Sequence, residues 1–358
     1  MTRAKKGVLA LGSLGEGGLL KKIYGSFTAV GNGLKKRKTD GAFGSVILGP
    51  GDDCAALRIR AGTRLLLSKD DLVEGTHFER SWAEPGRLAA RLLAVNLSDL
   101  AAMGWVKPLG CLVSAGFPAE LPAEWALGFL RGLKRASSRW SVPVLGGNLA
   151  RSQRIYLSMT IVGSGESRLI LRGGARPGDI LAGVGPLGEA SAGLDMLRRG
   201  GAQGRAALGG RPCSSPGGGG DKVPRWARSL ARSFWEPVPR LEEARRLAPF
   251  LTSLMDNSDG LLSTARTLAE SSGVRLRLSL AEAPASRPLL RFAWERGLDL
   301  RRHQALGGED YGLVFTLPAR RWEEARRRVS GIYRLGEAGR GRGVEAPWMK
   351  GKPFEHFR

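Results

Sequence analysis

From residue 64 to residue 336, short apolar runs of strand length alternate with stretches whose apolar residues recur at helical spacing. A chain that keeps switching between these two periods must stack helices on sheets, so its class is α/β, of the α+β type. In the first half, strands are predicted at 64–68, 109–115, 142–145 and 154–162, with helices at 87–103 and 123–137. The turn-rich segment Arg172-Gly173-Gly174-Ala175-Arg176-Pro177-Gly178-Asp179 then separates the halves. The second half is predicted to carry strands at 180–184, 253–256, 274–280, 311–317 and 333–336. Its predicted helices are 189–199, 240–251, 261–271, 287–296 and 319–329. Two domains follow, 1–165 and 166–358, and 358 residues are enough for two cores. A Gly/Ser/Pro-rich insertion at about 200–222 reads as a surface loop. Its four consecutive glycines lack the Lys-Ser/Thr that would follow in a phosphate-binding loop.

The formal charge of +23 raises the question of an anionic partner. Arg and Lys are spread along the whole chain, and no zinc-finger spacing, RNP-type strand or basic zipper accompanies them. A nucleic-acid partner is therefore disfavoured. Cys54, Cys111 and Cys213 are too few and too widely spaced for a disulfide framework or zinc site, which fits a reducing cytoplasm. No apolar stretch approaches the roughly 20 residues that span a bilayer, so no membrane is expected.

Against that basic background, carboxylates gather in five short segments beside small residues. They are Gly51-Asp52-Asp53, Ser68-Lys69-Asp70-Asp71, Asn96-Leu97-Ser98-Asp99, Asp256-Asn257-Ser258-Asp259-Gly260 and Gly307-Gly308-Glu309-Asp310. Ser68 to Asp71 are predicted at the C-terminal end of a strand, where α/β folds place ligand groups. Asn96 and Asp99 share one helix face with Leu92 and Met103, which directs Asp99 inward. Each segment alone could be a turn or a helix cap. Together they point to a site where cations neutralise converging carboxylates. Magnesium takes such oxygen ligands along with substrate phosphates, which points to phosphoryl transfer.

The motifs resemble those of thiamine-monophosphate kinase, within the aminoimidazole ribonucleotide synthetase superfamily. The resemblance rests on Gly51-Asp52-Asp53-Cys54-Ala55, Asp71-Leu72-Val73-Glu74-Gly75-Thr76-His77-Phe78 and Asn96-Leu97-Ser98-Asp99-Leu100-Ala101-Ala102-Met103-Gly104. Asp256-Asn257-Ser258-Asp259-Gly260-Leu261, Gly307-Gly308-Glu309-Asp310-Tyr311 and Phe354-Glu355-His356-Phe357 complete it. It implies a two-domain synthetase-like fold, with an N-terminal sheet domain that dimerises and a C-terminal α/β domain. It also implies magnesium-dependent transfer of the ATP γ-phosphoryl group to thiamine monophosphate, directly and in line, in a homodimer. Carried onto this sequence, the resemblance makes Asp53, Ser68, Asp70, Asp99, Asp256 and Asp259 magnesium ligands. Gly147, Asn148, Arg172 and Ser258 would contact ATP. His77, Glu309 and Phe354 would line the thiamine phosphate site.

Two positions depart from the family pattern. Asn148 stands where an aspartate is usual, and Lys69 stands where Thr or Ser is usual. One carboxylate lost and one ammonium gained suggest a link, with Lys69 stabilising charge in place of an ion. The same departures leave open a catalytically impaired paralogue that only binds nucleotide or thiamine phosphate. A third reading is a related ATP-dependent enzyme with another substrate.

Overall fold

The computed structural model describes residues 44–48, 54–165, 168–199, 224–346 and 348. Asp53, Phe354 and the glycine-rich insertion lie outside the described residues. The chain divides into two compact units. The first holds the described residues up to Asn96 and those from Lys107 to Gly165. The second takes Leu97–Val106 and the described residues from Arg168 onward. The ten residues 97–106 thus group with the second half, although sequence order puts them in the first.

In the first unit, β1 (Gly44–Leu48) and β2 (Ala56–Ile59) form an antiparallel pair. A four-stranded sheet follows, built from β3 (Arg64–Val73), β4 (Lys107–Phe117), β5 (Val144–Arg151) and β6 (Tyr156–Gly165). Its spatial order is β3-β6-β4-β5. The helices are α1 (Pro85–Ala101), whose last turn falls in the second unit, and α2 (Ala123–Trp140). Phe117 at the end of β4 meets Trp125 and Phe129 of α2 edge-on, with ring centroids 6.0 and 6.3 Å apart. Side chains of β3 alternate across the sheet, as strand geometry requires. Leu66 and Leu72 are buried, while Leu65 and Leu67 on the other face are 50% and 65% exposed. Leu112 of β4 and Tyr156 of β6 extend that uncovered face, at 43% and 37% exposure.

β3 runs five residues past the predicted end, so Ser68 to Asp71 lie inside a strand and not beyond one. Its ten-residue ladder with β6, from Arg64↔Gly165 to Val73↔Tyr156, outweighs the turn preference of the acidic pair.

The second unit is built on a six-stranded sheet in the order β12-β9-β11-β7-β10-β8. The strands are β7 (Asp179–Val184), β8 (Ser253–Asp256), β9 (Arg275–Leu278), β10 (Leu313–Pro318), β11 (Ile332–Gly339) and β12 (Gly343–Glu345). All six residues of β7 are buried. Leu181 joins one apolar cluster, while Ile180, Ala182 and Val184 join another on the opposite face. A continuous apolar run is what a strand covered on both sides needs.

Its helices are α3 (Glu189–Arg199), α4 (Arg225–Trp235), α5 (Leu241–Leu247), α6 (Leu261–Ser272), α7 (Arg287–Arg296), α8 (Leu300–Leu306) and α9 (Trp322–Arg328). α3, α7 and β8 match the predicted bounds. α5 stops four residues short of the predicted end: Ala248 still holds helical backbone as the C-cap, but Pro249 has no N–H with which to continue the helix. The predicted helix 319–329 divides into a 3₁₀ turn, Ala319–Arg321, and α9. Sequence reading overlooked β1, β2, β12, α4 and α8. In α4 the signal was present: Ala227, Leu230, Ala231, Phe234 and Trp235 are buried at helical spacing.

Candidate active site

Within the second unit the acidic segments come together around the C-terminal end of β8. Asp256 ends that strand and is 4% exposed. The Ser98 hydroxyl, on α1, donates to Asp256 Oδ2 at 2.9 Å. Burial, then the nearby Asp99 charge, pushes the Asp256 carboxyl up to about 7, with Asp259 adding to the rise. The Ser98 hydrogen bond and the Arg172 charge oppose it. Asp99, Asp256, Asp259 and Arg172 therefore share one electrostatic environment. Asp99 is half-buried, whereas Asn96 on the same helix face is fully buried.

The turn after β8 is held from the other side. Glu309 N–H donates to Ser258 O at 2.6 Å, Tyr311 N–H to Asn257 O at 3.1 Å, and Asn257 N–H to Gly312 O at 2.8 Å. Gly308 lies so close that a Cβ there would overlap Ser258 O. Glu309 and Tyr311 both hold left-handed backbone, at φ 70° and 51°, a conformation non-glycine residues seldom adopt. Asp310 between them is buried, and its carboxylate accepts Gly188 N–H at 2.5 Å and Ala190 N–H at 2.9 Å. Burial pushes Asp310 up to about 7 while those two amides pull it down.

Ser258 and Asp259 do not cap α6. Its N-cap is Gly260, with no side-chain cap bond. Capping therefore does not account for the two side chains. Asn257 is buried; its Oδ1 accepts from Thr264 Oγ1 at 3.1 Å, and its Nδ2 has no hydrogen-bond partner among the described residues.

In the first unit, Ser68 and Asp70 share the face of β3 that buries Leu66 and Leu72. Asp70 N–H donates to Asn96 Oδ1 at 3.2 Å, and Asn96 is itself fixed by donating from Nδ2 to Leu92 O at 2.8 Å. Lys69 projects to the opposite face and ion-pairs with Asp71 at 2.9 Å; Tyr156 Oη also donates to Asp71, at 3.0 Å. Hydrogen bonds from Ser158, Lys69 and Tyr156 outweigh Asp71's own burial and hold its carboxyl below the usual range.

His77 is half-buried, and its Nδ1 accepts Val73 N–H at 3.0 Å, which leaves the proton of the neutral ring on Nε2. Gly147 runs so close to β4 that a Cβ would overlap Val113 O. Asn148 is exposed on β5, paired with Ser114.

The expected link between Lys69 and Asn148 is not made within the chain. Lys69 lies on one edge strand of the sheet and Asn148 on the other. Three strand spacings separate them, roughly 14 Å. Among the described residues no group of three or more His, Cys, Asp or Glu side chains is disposed to hold a metal ion. The donors that do converge are of the type magnesium takes, carboxylate and hydroxyl oxygens. Ser98 and Asp310 were missed as contributors, although each stands inside a quoted motif next to an acidic residue.

Residues 51–165 match the family described as AIR synthase related protein, N-terminal domain. The thiamine-monophosphate kinase of Aquifex aeolicus (strain VF5) is 30% identical over 309 residues, covering 86% of this chain and 92% of that enzyme. Among solved structures, the thiamine-monophosphate kinase of Stenotrophomonas maltophilia K279a aligns with TM-score 0.74 and 27% identity, over 91% of this chain and 94% of that one. AaThiL complexed with AMPPCP and TMP aligns with TM-score 0.70 and 27% identity, over 96% and 97%.

Proposed function

The chain belongs to the thiamine-monophosphate kinase family, and on that premise we propose that it transfers the γ-phosphoryl group of ATP to thiamine monophosphate, giving thiamine diphosphate. The related structure holding AMPPCP, an ATP analogue, together with TMP supports both substrates. The observation that carries the reading is the buried Asp256 carboxylate, set against Asp99 and Asp259 with Arg172 beside them. Several carboxylates in one low-dielectric place repel each other, and this arrangement suits a site that works with cations and polyphosphate.

Magnesium is the cation we assign, held by Asp53, Ser68, Asp70, Asp99, Asp256 and Asp259. With magnesium bound, the site would gain the positive charge that a polyphosphate and its transition state require. Ser98 fixes one oxygen of Asp256, so that carboxylate is oriented before any ligand arrives. Asn96 does the same for the Asp70 backbone. Gly147, Asn148, Arg172 and Ser258 are assigned to ATP, with the Arg172 guanidinium suited to a phosphate.

His77, Glu309 and Phe354 are assigned to thiamine monophosphate. The strained backbone at Glu309 aims that carboxylate from a fixed loop, which suits a cationic substrate. The transfer is direct and in line, with no phosphoenzyme. The Lys69 ammonium is engaged by Asp71 and is available as a charge stabiliser only if that pair opens.

The open face of the four-stranded sheet, with Leu65, Leu67, Leu112 and Tyr156 exposed, supports a homodimer formed through the first unit. A reducing cytoplasm suits the free thiols of Cys54 and Cys111. Among the described residues no helix is long and apolar enough to cross a membrane.

The test is a product assay with ATP and thiamine monophosphate across a magnesium titration. Thiamine diphosphate should form, and only with the metal present. Binding of both substrates without product would instead favour the impaired paralogue.

A further inference from the structure

At the far end of β8 from Asp256 the second unit holds a cavity of about 320 Å³; among the described residues its lining includes Arg168, Arg176, Arg320, Arg321 and Thr252, and no acidic residue. Thr252 precedes β8 and Asp256 ends it, so four residue steps, roughly 13 Å of strand, separate the cavity from the aspartate cluster. Like charges gathered along one cavity repel one another, and an anion among them relieves that repulsion.

The cavity wall is a built structure. Arg321 is held by Glu324 at 2.9 Å and stacks over the Phe250 ring at 4.6 Å. Ser272 Oγ accepts from Gly174 N–H and Ala175 N–H, both at 3.1 Å, which fixes the loop that carries Arg176. Besides Glu324, which pairs with Arg321, the nearby Asp179 is 4% exposed, and its Oδ2 is taken by Arg176 N–H at 2.9 Å and the Thr252 hydroxyl at 2.7 Å. It organises the floor beneath the arginines and does not pair with their guanidinium groups. Among the described residues, Arg168, Arg176 and Arg320 have no ion-pair partner.

We propose that this cavity is a second anion site, away from the aspartate cluster, that takes the phosphate of a small phosphorylated molecule. Several arginines lining one cavity suit a group with three or more oxygens and more than one negative charge, which a phosphate has and a single carboxylate lacks. The volume sits at the lower end of small-molecule sites, enough for a phosphate or pyrophosphate group with a short appendage. The loop 172–176 also connects the two places. Arg176 lines the cavity, while the charge of Arg172, four residues earlier, acts on Asp256. An occupied cavity would therefore restrain the segment that carries Arg172.

The experiment is calorimetric titration of inorganic pyrophosphate into the full chain in EDTA. Without a divalent cation the aspartate cluster repels the anion, so binding there does not interfere. The wild type should bind saturably, about one per chain, and Arg168→Ala/Arg176→Ala should bind about tenfold more weakly or worse. Arg340→Ala/Arg342→Ala removes the same charge from exposed positions outside the cavity and should stay within about twofold. Circular-dichroism melts confirm folding; if the first pair fails to fold, Arg320→Ala alone carries the comparison. Equal weakening by both pairs, or no saturable binding by the wild type, overturns the site. Displacement of pyrophosphate by a single-stranded oligonucleotide at lower concentration would overturn the small-molecule ligand in favour of a nucleic-acid backbone.

Discussion

The two sheets of this protein use aspartate in opposite ways. On β3 of the first unit, Asp71 lies on an open face and is satisfied by Lys69 and Tyr156, so its carboxyl ionises readily. At the end of β8 in the second unit, Asp256 is buried beside Asp99, and its proton is held to about neutral pH. The sheets differ in the same sense. β7 is covered on both faces, while the four-stranded sheet leaves Leu65, Leu67, Leu112 and Tyr156 on one uncovered face. The second unit closes its own core and concentrates charge. The first leaves apolar surface that a partner copy could cover. Residue type alone does not decide these roles; the neighbours across the sheet do.

The largest effect that could break this contrast is catalytic. Asp256→Asn should lower turnover by about a hundredfold or more. It should leave the melting temperature of the metal-free protein unchanged or raised, because a buried charge is lost without a partner being stranded. Turnover within tenfold of wild type would mean the cluster is not the phosphate centre.

Next comes the open face. Leu67→Asp should shift the protein from dimer to monomer in sedimentation equilibrium at micromolar concentration, a weakening of about a hundredfold or more. A dimer that survives would move the interface elsewhere.

A smaller effect belongs to the loop that carries Glu309. Asp310→Ala strands the Gly188 and Ala190 amides and should cost about 1–3 kcal/mol in urea unfolding. Thiamine phosphate KM should rise more than ATP KM, since Glu309 is the neighbour displaced. A loss of stability with both KM values unchanged would make Asp310 purely structural.

The smallest effect is on pH. His303 is mostly buried against Gly188 O and Ser191, and burial lowers its pKa below 6.5. As pH falls past 6.5 the unfolded chain takes up the proton first, so stability declines until the folded pKa is reached. His303→Gln should remove part of that acid-side decline and leave stability at pH 8 nearly unchanged. An identical acid limb in the variant would show that His303 is not its source.

Much of the fold was legible locally. α3, α7 and β8 could be bounded from periodicity, Gly and Pro alone. α4 was overlooked beside a low-complexity stretch, although its apolar residues recur at helical spacing. The segment Ser68 to Asp71 reads as a strand end because its pairing partners on β6, Ile161 to Ser158, lie 87 to 93 residues away. The acidic motifs were legible as a set. Their grouping was not: Asp99, Asp256 and Asp259 share one unit, and Ser68 and Asp70 belong to the other.

By itself the sequence determined which segments become strands and helices over most of the described chain, and which short motifs carry carboxylates. Those depend on periodicity and on neighbours a few residues apart. Tertiary structure alone decided that Lys69 faces Asp71 and lies far from Asn148, that Ser98 reaches Asp256 across 158 positions, and that four arginines line one cavity. The physical reason is that a charge takes its character from what surrounds it within a few ångströms, and those surroundings come from distant parts of the chain.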